Sequence, residues 1–141
     1  MSDQNKALVR RFYEEVFNAK NVDAIDELCH PDFVDHMAMP DQAPGSQGLK
    51  KAFADYLNAF PDMQVQVQDV IAEGDLVATR FTGGATHRGE IFGAAPTGKR
   101  ITFNGIDIVR IRDGKAVEAW HQGDDIVGLM QIGAKLPMPS A

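Results

Sequence analysis

Apolar and polar positions alternate with two different periods along this chain, and the change of period divides it. In the first segment Leu8, Phe12, Val16 and Phe17 share one side while Arg10, Arg11, Glu14 and Glu15 share the other, which predicts an amphipathic helix. Asn21-Val22-Asp23 interrupts it, and Asn21 or Asp23 is suited to cap a short second helix carrying Ile25 and Leu28. His30-Pro31 closes that helix, because a residue before proline avoids the helical region, and Phe33-Val34-Asp35-His36 follows as a short extended piece. Residues 40–48, PDQAPGSQG, are a loop by composition. Leu49, Phe53, Tyr56, Leu57 and Phe60 then recur at helical spacing until Phe60-Pro61-Asp62 stops the third helix.

From Met63 the period becomes that of a strand. Met63, Val65 and Val67 alternate with glutamines, Glu73-Gly74-Asp75 signals a hairpin turn, and Leu76 to Thr82 resumes extended structure. The glycine-rich stretch 83–99 is too irregular for one strand and is expected to bulge or loop out. Ile101 to Arg112 is a long strand, Asp113-Gly114 a tight turn, and Lys115 to Gln122 the returning strand. Ile126, Leu129, Met130 and Ile132 give a closing helix its stripe, with Gly133 and Pro137 ending it. Helices first, strands after and one helix last define an α+β fold. A strongly curved antiparallel sheet wrapped on the N-terminal helices makes a cone-shaped barrel with a mouth where a ligand would enter.

Composition narrows the functional classes. The 141 residues suit one domain, 1–141, and 44% hydrophobic content is ordinary for a globular chain. The net charge of −6 and the scattering of basic residues disfavour a nucleic-acid partner. Cys29 is the single cysteine and has no internal disulfide partner, which fits a reducing compartment. The N-terminal stretch has no apolar signal region, and no apolar run approaches the roughly 18 residues that cross a bilayer, so a cytoplasmic protein without a membrane partner is expected.

Phe33-x-x-His36, Phe60-Pro61-Asp62, Gly74-Asp75-x-Val77-x-x-Arg80, Thr86-His87-x-Gly89, Pro96-Thr97-Gly98-Lys99, Asp107-x-x-Arg110, Glu118-x-Trp120-x-x-x-Asp124 and Gln131-x-Gly133 follow one another along the chain. In this order and spacing they resemble the SnoaL-like polyketide cyclases of the nuclear-transport-factor-2-like superfamily. The resemblance implies a cone with a deep, mostly apolar pocket, commonly in a homodimer. It implies an ester cyclase type of activity, an intramolecular aldol closure of a hydrophobic carbonyl compound without metal or cofactor. It also implies an acid/base aspartate at Asp124, through the Trp-x-x-x-Asp spacing. Fold membership argues architecture better than it argues reaction.

An aldol closure needs a base for an α-proton, stabilisation of the enolate and an acid for the new alkoxide. A carboxylate in an apolar cavity suits the first need, since desolvation raises its pKa toward neutrality. Asp124 is the candidate; the competing reading is a helix cap, the role left to Asp125. Trp120 is expected in the pocket wall or core, and His121, on the opposite strand face, toward solvent or an interface, or toward the pocket if Trp120 is not. His36 and His87 are catalytic candidates as donors to an enolate, or else histidines bonded to backbone. No two histidines have close ligand spacing, so no metal site is expected. Asp107, Arg80, Phe33 and Tyr56 are candidates for substrate contact, Arg80 and Asp107 requiring partners if inward. Met37 and Met39 suit an adaptable flap at the mouth, or equally ordinary packing. Two other classes stand beside the cyclase. An epoxide hydrolase would need Asp107, Arg80 and Asp124 converging inside, an isomerase would use the same cone, and a non-catalytic binding or dimerisation module would need no ionisable group in the pocket.

Overall fold

The computed structural model describes residues 2–135, so the Pro137 helix stop lies outside the described residues. Helix α1 (Ser2–Arg11) runs directly into a π-helical segment (Phe12–Asn18), followed by α2 (Ala24–Leu28), β1 (Cys29–Asp35), α3 (Gly45–Ala59), β2 (Gln64–Glu73), β3 (Leu76–Thr86), β4 (Arg100–Arg112), β5 (Lys115–Gly123) and α4 (Asp125–Gln131). The strands form one five-stranded sheet in the order β1-β5-β4-β3-β2. The long strands are antiparallel as the alternation requires, while β1 joins the edge of β5 in parallel. Helix α1, the π-segment, α2 and α3 fill the concave side and α4 closes one end, the α+β cone expected from the order of periods.

Alternation decides which residues the concavity receives. On β4 the inward row is Ile101, Phe103, Gly105, Asp107, Val109 and Ile111, and on β3 it is Val77, Thr79, Phe81, Gly83 and Ala85. One acid therefore stands in an otherwise apolar row. Both turn residues of the β4–β5 hairpin have positive φ, 50° at Asp113 and 74° at Gly114, as a tight hairpin turn demands. Beyond that turn Arg112 faces Lys115 and Ile111 faces Ala116, but Arg110 faces Glu118, so Val117 is an extra residue in β5. The bulge moves every later β5 residue to the opposite face: His121 instead of Trp120 comes to stand across from Asp107.

The π-segment does similar work on the helical side. Its wider turn brings Phe12, Tyr13 and Phe17 together toward the sheet, with Tyr13 and Phe17 stacked at 5.8 Å between ring centroids. Asn18 ends it by bonding both backbone groups of Val65, at 2.8 and 2.9 Å, which ties the helix to edge strand β2. The left-handed Lys20 (φ 62°) donates its ammonium to the Phe17 and Met63 carbonyls and satisfies the chain as it leaves the helix. The stretch 87–99 is a loop, although β3 continues four residues past the expected Thr82, to Thr86. The closing helix buries Leu129 and Ile132 as expected, but Ile126 and Met130 are exposed.

Candidate active site

Between the helices and the sheet lies a cavity of about 380 Å³ walled mainly by Phe12, Phe17, Phe33, Phe53, Phe81 and Phe103. Leu129 and Ile126 of α4 and Met37 and Met39 of the loop after β1 also line it. Within this apolar wall four polar side chains from four elements are joined in series. Tyr13 of the π-segment donates its hydroxyl to Asp107 Oδ2 at 2.5 Å. The other oxygen of Asp107 lies 2.6 Å from His121 Nδ1, and His121 Nε2 lies 2.8 Å from Asp125 Oδ1 at the start of α4.

Each link follows from the local chain. Asp107 and His121 are register partners on neighbouring strands, and Asp125 reaches back four residues across the hinge. The space for that reach is supplied by two glycines facing each other, Gly105 and Gly123. A Cβ on Gly123 would stand 2.9 Å from Asp125 Oδ1 and 3.0 Å from His121 Nε2; one on Gly105 would stand 3.0 Å from His121 Cε1.

The electrostatics follow from the partners. Hydrogen bonds to Asp107 and then Asp125 push the His121 imidazole up to about 10, against the opposing effect of burial, so both ring nitrogens carry protons at neutral pH. The same His121 hydrogen bond holds the Asp125 carboxyl below the usual range despite its burial. Burial first, then the charge of Asp107, pushes the Tyr13 hydroxyl well above its ordinary value. The group is thus a carboxylate–imidazolium–carboxylate row with a phenol at its inner end. Asp125 lines the cavity, its side chain 48% exposed, and its Oδ2 has no side-chain partner among the described residues.

The sequence expectations divide around this geometry. Asp107, Phe33 and Tyr56 line the cavity. Asp124 does not: its exposed carboxylate accepts from the Asn104 backbone at 2.6 Å and from the Asn104 side chain at 3.2 Å, bonds that hold it below the usual range. It neither caps α4 with its side chain nor enters the hollow; it pins the hinge to β4 from outside. The hinge carboxylate that faces inward is its neighbour Asp125. Its depressed pKa also reverses the expected desolvated, raised carboxyl, because the imidazolium outweighs burial.

Trp120 and His36 lie on the outer sheet face. Their rings stack at 4.6 Å and 4°, and His36 Nε2 meets Glu118 at 2.8 Å. Arg110 bonds Glu118 and Asp75 there and lies over the indole at 5.9 Å. His121, expected outside, is inside; the Val117 bulge explains both reversals. Arg80 is also outward, paired with Asp69 at 2.6 Å, because its register partner is Ile106 while Asp107 faces Thr79. An Asp-Arg-Asp set for epoxide opening is therefore not assembled. His87 is fully buried away from the cavity: its Nδ1 accepts from the Thr97 backbone at 3.2 Å, and its backbone bonds Lys99 and Gly98, closing the 87–99 loop. Cys29 lines the cavity, with burial pushing its thiol up to about 12, far from thiolate chemistry. Among the described residues no three His, Cys, Asp or Glu side chains converge in a metal-holding arrangement.

A curved-sheet cone with an acid/base row at one wall of an aromatic cavity defines a class of small pocket proteins. The chain belongs within it to the SnoaL-like polyketide cyclase family, whose profile matches residues 7–132. Among solved structures it is similar to AclR of Streptomyces galilaeus, a proposed hydroxylase, with 34% identity and a TM-score of 0.81 over 97% of this chain and 100% of that one. It is similar to IdmH of Streptomyces antibioticus, a proposed polyketide cyclase, with 33% identity and a TM-score of 0.76 over 93% and 99%. TsrD of Streptomyces laurentii shares 25% identity and a TM-score of 0.82 over 94% and 96%. No curated protein matches at a significant level. No helix among the described residues is long and apolar enough to cross a membrane.

Proposed function

We propose that this protein closes a ring by intramolecular aldol addition in a small or aromatic carbonyl compound, with Asp125 as the proton carrier. The observation that carries the reading is the Asp125 carboxylate on the wall of an aromatic cavity, bonded at 2.8 Å to a histidine that Asp107 holds from the other side. A hydrogen between two carbonyl groups is acidic enough for a carboxylate fixed beside it. Asp125 takes that proton; the carbanion attacks a carbonyl carbon of the same molecule and makes the new carbon–carbon bond. The alkoxide then recovers the proton from Asp125. Nothing is oxidised or reduced, and one carboxyl serves as base and then acid. His121 keeps Asp125 ionised between turnovers and makes it a ready donor once protonated. The apolar wall favours flat, hydrophobic substrates, and a bound substrate displaces water from beside the half-exposed carboxylate.

Family membership and the likeness to IdmH support the cyclase reading. An ionised group in the cavity also speaks against a purely structural module. The test is exchange of α-hydrogens, in deuterated buffer, of linear and aryl β-ketoesters that carry a further ketone within ring-forming reach, with ring closure followed by carbon NMR of the ketone carbon that becomes a carbinol. Exchange and closure faster than in buffer are expected; a protein that accelerates neither across the series is not a cyclase. We further propose that the chain works as a homodimer joined through its outer sheet face. Ile71, Ala78, Ile108 and Trp120 are successive register partners there, and Ile71 is 67% exposed.

A further inference from the structure

A base alone leaves half of the reaction unsupported. When the α-proton leaves, negative charge collects on a carbonyl oxygen, and this cavity is a poor place for it. Asp35, Asp107 and Asp125 line it against His121 alone, and no lysine or arginine among the described residues does so. A fresh enolate oxygen requires a donor held ready for it.

The donors of the wall can be counted off. The Tyr13 hydroxyl is spent on Asp107, both His121 nitrogens face carboxylates, and one of the two Gln42 amide hydrogens goes to Asp35 at 3.1 Å, which holds that amide against a carboxylate. The Cys29 thiol is a weak donor. Gln122 is exposed at the rim. One hydroxyl remains: Tyr56 of α3, half-buried, lining the cavity, and without a hydrogen-bond partner among the described residues. Its ring is set edge-on against Phe92, 6.0 Å between centroids, so its position does not depend on a bond from the hydroxyl.

We propose that Tyr56 is the catalytic residue that donates its O–H to the substrate oxygen on which negative charge develops, in the same cavity as the carboxylate that takes the proton. The inference rests on the acid/base reading of Asp125 and adds the second pole of the reaction. Burial, with the nearby charges of Asp125, Asp35 and Asp41, pushes the Tyr56 hydroxyl up to about 12, so it keeps its proton throughout the working range. A neutral donor is also what a negatively lined pocket tolerates: it binds a ketone before reaction and an enolate during it. The selected substrate is one whose reacting end is an uncharged ketone or ester within reach of both groups; a free carboxylate there would meet one hydroxyl and several like charges.

The test uses the full chain and needs no turnover in its first arm. Carbonyl-labelled 1-tetralone, a neutral aryl ketone, is bound to the wild type, Tyr56→Phe and Gln122→Ala, and its affinity and infrared carbonyl stretch are measured. Expected is a lowered stretching frequency in the wild type and Gln122→Ala, lost in Tyr56→Phe together with about 5–10-fold in affinity. Equal frequencies and affinities in wild type and Tyr56→Phe, or loss of the shift in Gln122→Ala instead, overturn the assignment. The second arm is kcat for ring closure, expected to fall on the order of 10²–10³-fold in Tyr56→Phe with KM changed far less; an unchanged kcat overturns the catalytic role. A carbonyl shift that depends on Tyr56 in a protein without cyclase activity would leave the donor in place and remove only the proposed reaction. Tyr56→Phe keeps the ring against Phe92, and thermal unfolding of the variants verifies that the fold is intact.

Discussion

His121 is the residue on which the site turns, because its two nitrogens join two carboxylates that would otherwise repel across a small cavity. Its pKa, raised from 6.5 to about 10, means that folding favours the protonated ring. By linkage that stabilisation is complete below the unfolded value near 6.5 and drains away as pH rises through about 10. Nitrogen NMR of the side chain is expected to show both ring nitrogens protonated at neutral pH, with a midpoint near 10; an ordinary midpoint near 6.5 would mean that the row of bonds is not formed in solution. The Asp125 carboxylate should accordingly stay ionised, so activity is expected to persist to mildly acidic pH. None of this was legible from residue types alone. Asp124 and Asp125 are adjacent aspartates at one hinge, and a shift of one residue exchanges a clamp outside the fold for a carboxylate on the cavity wall.

Elements explain why that shift went the way it did. Helical and strand periods located nearly every element, because the apolar stripes of α1, α3 and the long strands are unbroken. The β4–β5 turn was equally legible from Asp113-Gly114, whose positive φ values the pair is suited to adopt. Counting outward from that turn without a bulge puts Trp120 inside, and the sequence carries no sign of the extra residue at Val117. Asp107 was open to a sharper reading: it is the one acid in the alternating inward row of β4, and its parity excludes a shared face with Arg80. The π-segment left no trace either, since Phe12, Val16 and Phe17 fit an ordinary helical stripe as well. The hinge between β5 and α4 offers its own test. Gly123→Ala drives a methyl group against the Asn104 backbone carbonyl and the His121–Asp125 bond, and a cost of about 1–3 kcal/mol in stability is expected from such overpacking. Turnover should fall by more than that cost explains, because the bond itself is displaced; full activity measured on the folded variant would show that the bond is dispensable.

For the whole molecule, the fold separates two polar systems by one sheet thickness. Inside is the Tyr13–Asp107–His121–Asp125 row; outside are Trp120, His36, Arg110 and Glu118, which sequence reasoning had partly assigned to the pocket. The outer system borders the apolar row proposed to meet a second copy, so Ile108→Glu is expected to convert a dimer to a monomer by sedimentation velocity. A wild type that sediments as a monomer removes that proposal without touching the cavity. Family and fold class followed from the order of motifs along the chain, whereas the identity of the proposed proton carrier required the register of the sheet. The most direct measurement compares wild type, Asp125→Asn and Asp124→Asn for α-hydrogen exchange and ring closure on the same β-ketoester. Expected is a loss of about 10²–10⁴-fold for Asp125→Asn and nearly full activity for Asp124→Asn once its folding is verified. Retained turnover in Asp125→Asn, or a comparable collapse in folded Asp124→Asn, would contradict the assignment of Asp125 as the proton carrier.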